Sequence, residues 1–192
     1  MPLKPVLLML FLMAGCMPPI HADAKIAAAV PVSVKNVNNC YKLSRELYRS
    51  ARPADDGFKA LEKQGIKSVL NLREYHRDDN EAQGTSLNLY RIRLAAGKVT
   101  AQDLMECLLL IDKAPKPILV HCWHGSDRTG IVCAAYRIVI QGWSPEKAEE
   151  ELKDERFGHH KSYYSNLSEL LRTTDWEEFK SAFRKRKAAQ AS

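Results

Sequence analysis

The sequence holds no apolar run long enough to cross a bilayer as a helix. The stretch Val6-Leu7-Leu8-Met9-Leu10-Phe11-Leu12-Met13 falls well short of the about 20 residues that takes. A disulfide framework is missing too: Cys16, Cys40, Cys107, Cys122 and Cys133 follow no regular spacing, and Cys107 and Cys133 sit in apolar runs of helical character that read as core. Neither an internal repeat nor a low-complexity tract is present, which excludes a solenoid and a disordered linker protein. His121, Cys122 and His124 are too close together on one short segment to converge on a metal, and no distant set of ligands completes them. Neither a metal nor any other cofactor is expected. The chain also has no nucleic-acid recognition motif and no stacking platform, so its basic balance is not read as nucleic-acid binding.

What is present begins with an export signal over residues 1–24: Lys4, the short apolar stretch, then small residues. Two maturation routes stand open. Met13-Ala14-Gly15-Cys16 resembles a lipobox, which would make Cys16 an acylated first residue, and Ala22-Asp23-Ala24 suits ordinary cleavage after Ala24. The lipid anchor is the first reading and the soluble form the second, with periplasm or cell envelope as the expected compartment and secretion as the alternative. Residues 25–37 lack a periodic face and read as a linker, residues 38–187 as one domain, and residues 188–192 as a tail. Roughly 155 residues after the linker suffice for one real core. The net charge of +6 survives loss of the signal, since Lys4 and Asp23 cancel, and a positive body suits anionic substrates.

The organising segment is Ile118-Leu119-Val120-His121-Cys122-Trp123-His124-Gly125-Ser126-Asp127-Arg128-Thr129-Gly130. A β-branched apolar run breaks into a polar loop, and an apolar helical run follows at once. Such a loop turns the N–H groups of residues 123–128 inward as an anion nest backed by a helix N-terminus. A cysteine in that nest, beside a guanidinium, ionises readily and makes Cys122 a nucleophile. Arg128 offers a planar fork for two phosphoryl oxygens, and Thr129 a hydroxyl for the sulfur.

His121-Cys122, five residues, then Arg128-Thr129-Gly130 resembles the signature of the cysteine-dependent phosphatases, dual-specificity/tyrosine branch. The likeness extends through Leu47-Tyr48-Arg49-Ser50-Ala51-Arg52-Pro53, Val69-Leu70-Asn71-Leu72-Arg73 and Tyr136-Arg137-Ile138-Val139-Ile140-Gln141-Gly142-Trp143. Small exported bacterial tyrosine phosphatases and atypical plant and fungal dual-specificity phosphatases are similar. The resemblance implies a phosphocysteine intermediate on Cys122, with Trp123, His124, Gly125, Ser126 and Thr129 around the substrate.

In chain order, strands are expected over 41–44, 47–50, 66–72, 88–94 and up to His121, and helices over 54–64, 101–113, Arg128 to about Ile140, 146–156, 163–172 and 174–187. That alternation gives an α/β fold: a central, mostly parallel twisted sheet of four to five strands flanked by helices. Ligands then collect beyond the strand ends, which makes Arg73 a candidate substrate contact. Lys98, Arg77 and Arg93 are rim candidates.

One departure matters. The resembling phosphatases place an acidic aspartate in the loop before the 101–113 helix, and residues 95–99 contain none. Asp103 reads as part of a Thr100-x-x-Asp103 cap. Asp127 is the first candidate for general acid, by similarity to the loop of myotubularins, against a role merely orienting Arg128 or capping the helix. Glu74, Asp78 and Asp79 are reserves. Expected partners are a phosphorylated protein or, second, an inositol polyphosphate or phosphoinositide. A phosphate-binding module that turns nothing over is the rival of another class, and a sulfurtransferase a weaker one.

Overall fold

The computed structural model describes residues 28–191. The export signal of residues 1–24, with Cys16, lies outside them. Six strands form one sheet: β1 Val30–Pro31, β2 Tyr41–Lys42, β3 Leu47–Ser50, β4 Ser68–Asn71, β5 Asn88–Arg91 and β6 Ile118–His121, in the order β1-β2-β3-β6-β4-β5. The run β3-β6-β4-β5 is parallel, and β1 and β2 add an antiparallel edge. The helices are α1 Gly57–Lys63, α2 Ala101–Lys113, α3 Asp127–Val139, α4 Pro145–Lys153, α5 Ser165–Thr173 and α6 Trp176–Ala191.

The strands β3, β4 and β6 are buried along their whole length, and β6, at the centre with neighbours on both sides, accordingly reads as an unbroken apolar run, Ile118-Leu119-Val120. Leu70, Ile118 and Val120 point to the larger core with α2, α3, α5 and α6, while their chain neighbours Val69 and Leu119 join Phe58, Leu61 and Ile66 on the α1 side. α2 starts on the expected cap, with Thr100 and Asp103 bonded reciprocally. Trp176, Phe179 and Phe183 are buried, so the aromatic stripe of α6 docks on the domain.

Besides shifts of a few residues at element ends, the sheet has six strands where four to five were expected, and two domain boundaries differ from the sequence expectation. Part of the supposed linker belongs to the sheet: Val30 and Pro31 pair with Lys42 and Tyr41, and Ala29 and Val37 are buried. A two-residue strand is too short for alternation to show. At the other end α6 runs through residues 188–191 where a tail was expected.

Register places the site. Ser50 and Asn71 are both paired with His121, so three parallel strands end at the same level, and the loops that leave them open onto one side of the sheet.

Candidate active site

After His121 the chain bends through residues 123–126 and enters α3 at Asp127. The scaffold holds this loop by its carbonyls. Trp123 O accepts from Arg52 N at 3.1 Å, His124 O from Asn39 Nδ2 at 2.9 Å, and Gly125 O from Arg49 Nη2 at 2.8 Å. In a planar trans peptide the C=O and the following N–H point opposite ways. With the carbonyls of 123, 124 and 125 aimed outward, the N–H groups of 124, 125 and 126 aim inward. Among the described residues no acceptor meets any N–H of 123–128. The segment is a bowl of free amide donors, with Cys122 buried at its base and the N-terminus of α3 behind it.

Gly125 is required by this curvature. Its φ is +76°, and a Cβ there would stand 2.5 Å from the backbone of Ser50. Arg49, 1% exposed, supports the loop from behind and lies 3.9 Å from the Phe157 ring centre. Ser126 and Thr129 are buried in the same wall, and Thr129 Oγ1 has no partner among the described residues, so its hydroxyl is not engaged with the sulfur.

Under the bowl runs a buried chain of polar contacts. Arg73 Nη2 bonds Asp78 Oδ1 at 2.6 Å, Asp78 Oδ2 meets His121 Nε2 at 2.9 Å, and His121 Nδ1 meets the Cys122 carbonyl at 3.0 Å. Asp78 and Arg73 are 5% and 4% exposed, so Asp78 serves the scaffold and Arg73 has its charge matched, although Arg73 still lines the cleft. Asp79 is likewise paired, with exposed Arg77, whose Nε reaches it at 2.6 Å.

The cleft beside the bowl has a volume of about 260 Å³ and is walled by Tyr75, Trp123 and Tyr164, with Arg73, Glu74, His76, Ala96 and Arg128. Arg128 is partly exposed there, steadied by Leu94 O at 3.4 Å. Trp123 is 41% exposed, with the Arg52 guanidinium 4.8 Å and the His76 ring 5.6 Å from its own ring.

Asp127 behaves differently from a free acid. Its Oδ1 accepts from His160 N at 2.9 Å and pairs with His159 Nδ1 at 2.7 Å, and its Oδ2 pairs with His160 Nδ1 at 2.8 Å. Burial pushes its pKa up, but these bonds outweigh burial and hold the carboxyl at about 2. At neutral pH Asp127 therefore carries no proton to give.

Residues 34–188 match the tyrosine phosphatase family. The chain belongs to that family. The dual specificity protein phosphatase TpbA of Pseudomonas aeruginosa is 32% identical over 155 residues, spanning 77% of this chain and 68% of TpbA. The inositol diphosphatase SIW14 of Saccharomyces cerevisiae is 32% identical over 109 residues, 52% of this chain and 38% of SIW14. Among solved structures, a Cys-to-Ser variant of P. aeruginosa TpbA in complex with pTyr superposes with a TM-score of 0.75 at 28% identity, covering 84% and 98% of the two chains. The catalytic domain of S. cerevisiae SIW14 in complex with citrate reaches 0.66 at 28% identity, covering 80% and 96%.

For a tyrosine phosphatase, the expected residues 122–129 come together in one bowl, and the enzyme is cysteine-dependent. Burial holds the other thiols protonated, Cys40 and Cys133 at about 11, and all four described cysteines are free. Sequence reasoning missed Arg49 and Asn39, which hold the bowl open from outside, and His159, His160 and Tyr164, which arrive from beyond α4. No motif joins them to the loop, since only the fold brings them there.

Proposed function

We propose that this phosphatase hydrolyses aryl phosphomonoesters, phosphotyrosine in proteins foremost. Cys122 attacks phosphorus, the amides of 123–128 and the Arg128 fork hold the oxygens as charge spreads over them, and water then cleaves the thiophosphate. The observation that carries this reading is a six-amide bowl with a thiol at its base, opening into a cleft walled by Tyr75, Trp123 and Tyr164. A phosphotyrosine ring fits between aromatic faces. The named action of TpbA and the pTyr held by its variant support the choice.

Inositol phosphates are the second reading, supported by the likeness to SIW14 and by His124 on the bowl. A polyphosphate needs several free cations, yet Arg73 and Arg77 are paired with aspartates and Arg91 donates to the carbonyls of Arg73 and Glu74. The test is kcat/KM on a phosphotyrosine peptide against an inositol pyrophosphate, with mass spectrometry of the Cys122 peptide after rapid quench. The expected result is preference for the peptide and a phosphoryl adduct absent in Cys122→Ser. Preference for the inositol substrate overturns the substrate assignment, and no adduct in the wild type overturns the mechanism.

Export with a lipid anchor at Cys16, or cleavage after Ala24 as the alternative, is part of the proposal and is supported by residues 1–24 alone. The intact mass of the mature protein decides: an acylated Cys16 start supports the first, a Lys25 start the second, and an uncleaved chain overturns both.

A further inference from the structure

We propose that His160, oriented by Asp127, donates the proton to the leaving oxygen and later takes one from the attacking water. The inference rests on the phosphocysteine reading above.

The segment bearing His160 is fastened to the bowl at three points. Asn39 Nδ2 bridges His124 O and Phe157 O, at 2.9 and 3.3 Å. Gly158, with a φ of +70°, turns so tightly against the loop that a Cβ there would lie 3.3 Å from Ser126 Oγ. Asp127 then takes both histidines that follow. The two are not equivalent. The His159 side chain is 1% exposed and its Nε2 is buried without a partner among the described residues, so that ring anchors the segment. The His160 side chain is 42% exposed. Its ring centre lies 5.6 Å from that of His124, on the bowl, and 6.4 Å from that of Tyr164, on the cleft wall.

Chemistry assigns the roles. The groups facing the His160 ring are Asp127, His124 and Tyr164. Asp127 accepts from Nδ1, which leaves Nε2 as the atom that gains and loses a proton. The expected acid loop supplies no rival, since Asp103 is committed to Thr100 at the start of α2. In the first step the Cys122 sulfur bonds to phosphorus, the P–O bond to the leaving group breaks, and the Nε2 proton goes to that oxygen. In the second, Nε2 takes a proton from water as its oxygen bonds to phosphorus and the S–P bond breaks, which returns the thiolate and releases phosphate. Asp127, whose two carboxylate oxygens are both taken up by the histidine segment, acts through His160 and is a positioning residue.

The test is the dependence of kcat/KM on leaving group, using phenyl phosphate and 2,4-dinitrophenyl phosphate. His160→Gln is expected to lose about 10²–10⁴-fold on phenyl phosphate and little on the dinitrophenyl ester, whose leaving group departs without a proton. Asp127→Asn is expected to show the same pattern more weakly. His160→Ala with added imidazole is expected to regain turnover of phenyl phosphate. Equal loss on both esters without imidazole rescue overturns the proposal, as does a leaving-group effect that follows Glu74→Gln, the remaining carboxyl of the cleft, instead of His160→Gln. Absence of a phosphocysteine in the wild type is a different failure, that of the underlying reading.

Discussion

The amide bowl around Cys122 and the aromatic wall of the cleft beside it are built in opposite ways. Residues 121–129 form the bowl as one unbroken stretch whose outer face is bonded to Arg49, Arg52 and Asn39, and His121, Ser126 and Thr129 are buried. The wall gathers residues 73–76, Ala96, Trp123 and Tyr164 from separate connections, and its aromatic tips stand in solvent: Tyr75 is 81% exposed and Trp123 41%. In the proposed reaction the phosphoryl group has the same shape in every substrate, which calls for a holder fixed by many bonds. The leaving group varies, which calls for a wall of side chains on a frame that tolerates their exchange.

The comparison breaks most visibly if the bowl tolerates what the wall tolerates. Gly125→Ala combines a positive φ with a Cβ at 2.5 Å from the Ser50 backbone. The first is worth about 1–2 kcal/mol and the overpacking about 1–3. Denaturant unfolding should show a loss of about 2–5 kcal/mol, with phosphate affinity lost alongside it. Tyr75→Ala, on the exposed wall, should stay within about 0.5 kcal/mol of the parent. Similar stability for the two variants would end the distinction.

Arg128 comes next. Lysine keeps the charge but not the fork, so Arg128→Lys should lower kcat by about 10²–10³, or about 2.7–4 kcal/mol, with a smaller change in KM. A loss confined to KM would move Arg128 from gripping the transition state to merely attracting substrate.

Asp127 sharpens the comparison where bowl and wall meet. Its carboxyl, held at about 2 in the fold, returns to the ordinary aspartate value of 3.8 on unfolding. A depressed folded pKa gives stability that is present above the unfolded value and is lost as pH falls toward 2. The gain is up to about 2 kcal/mol. Between neutrality and pH 2 the wild type should lose that much relative to Asp127→Asn in paired unfolding curves. Parallel curves would mean that the histidine clamp contributes nothing to holding the segment.

These differences explain what was legible from residues alone. The bowl is contiguous, so its nucleophile, arginine and amides were all within one motif, and the strand and helix beside it carry long apolar periods. The histidine partners of Asp127 were not legible, because they lie 32 and 33 residues away in sequence and only the fold brings them to it. Arg73 lies at the strand end that the parallel topology indicates, yet its partner Asp78 could not be told from a solvated loop carboxylate. Strand β1 escaped because two residues show no period.

The smallest expected effect tests the separation itself. Trp123 belongs to the bowl by its backbone and to the wall by its ring: its carbonyl takes the Arg52 N–H, while its indole faces His76 and the Arg52 guanidinium. Trp123→Leu keeps the peptide unit and removes the aromatic face. An aromatic pair is worth about 0.5–1.5 kcal/mol, so KM for a phosphotyrosine peptide should rise about 2- to 12-fold with kcat nearly constant. Inhibition by inorganic phosphate, which has no ring to stack, should be unchanged. If phosphate inhibition weakens in step with the peptide, the ring supports the bowl's shape, and the two regions are energetically one.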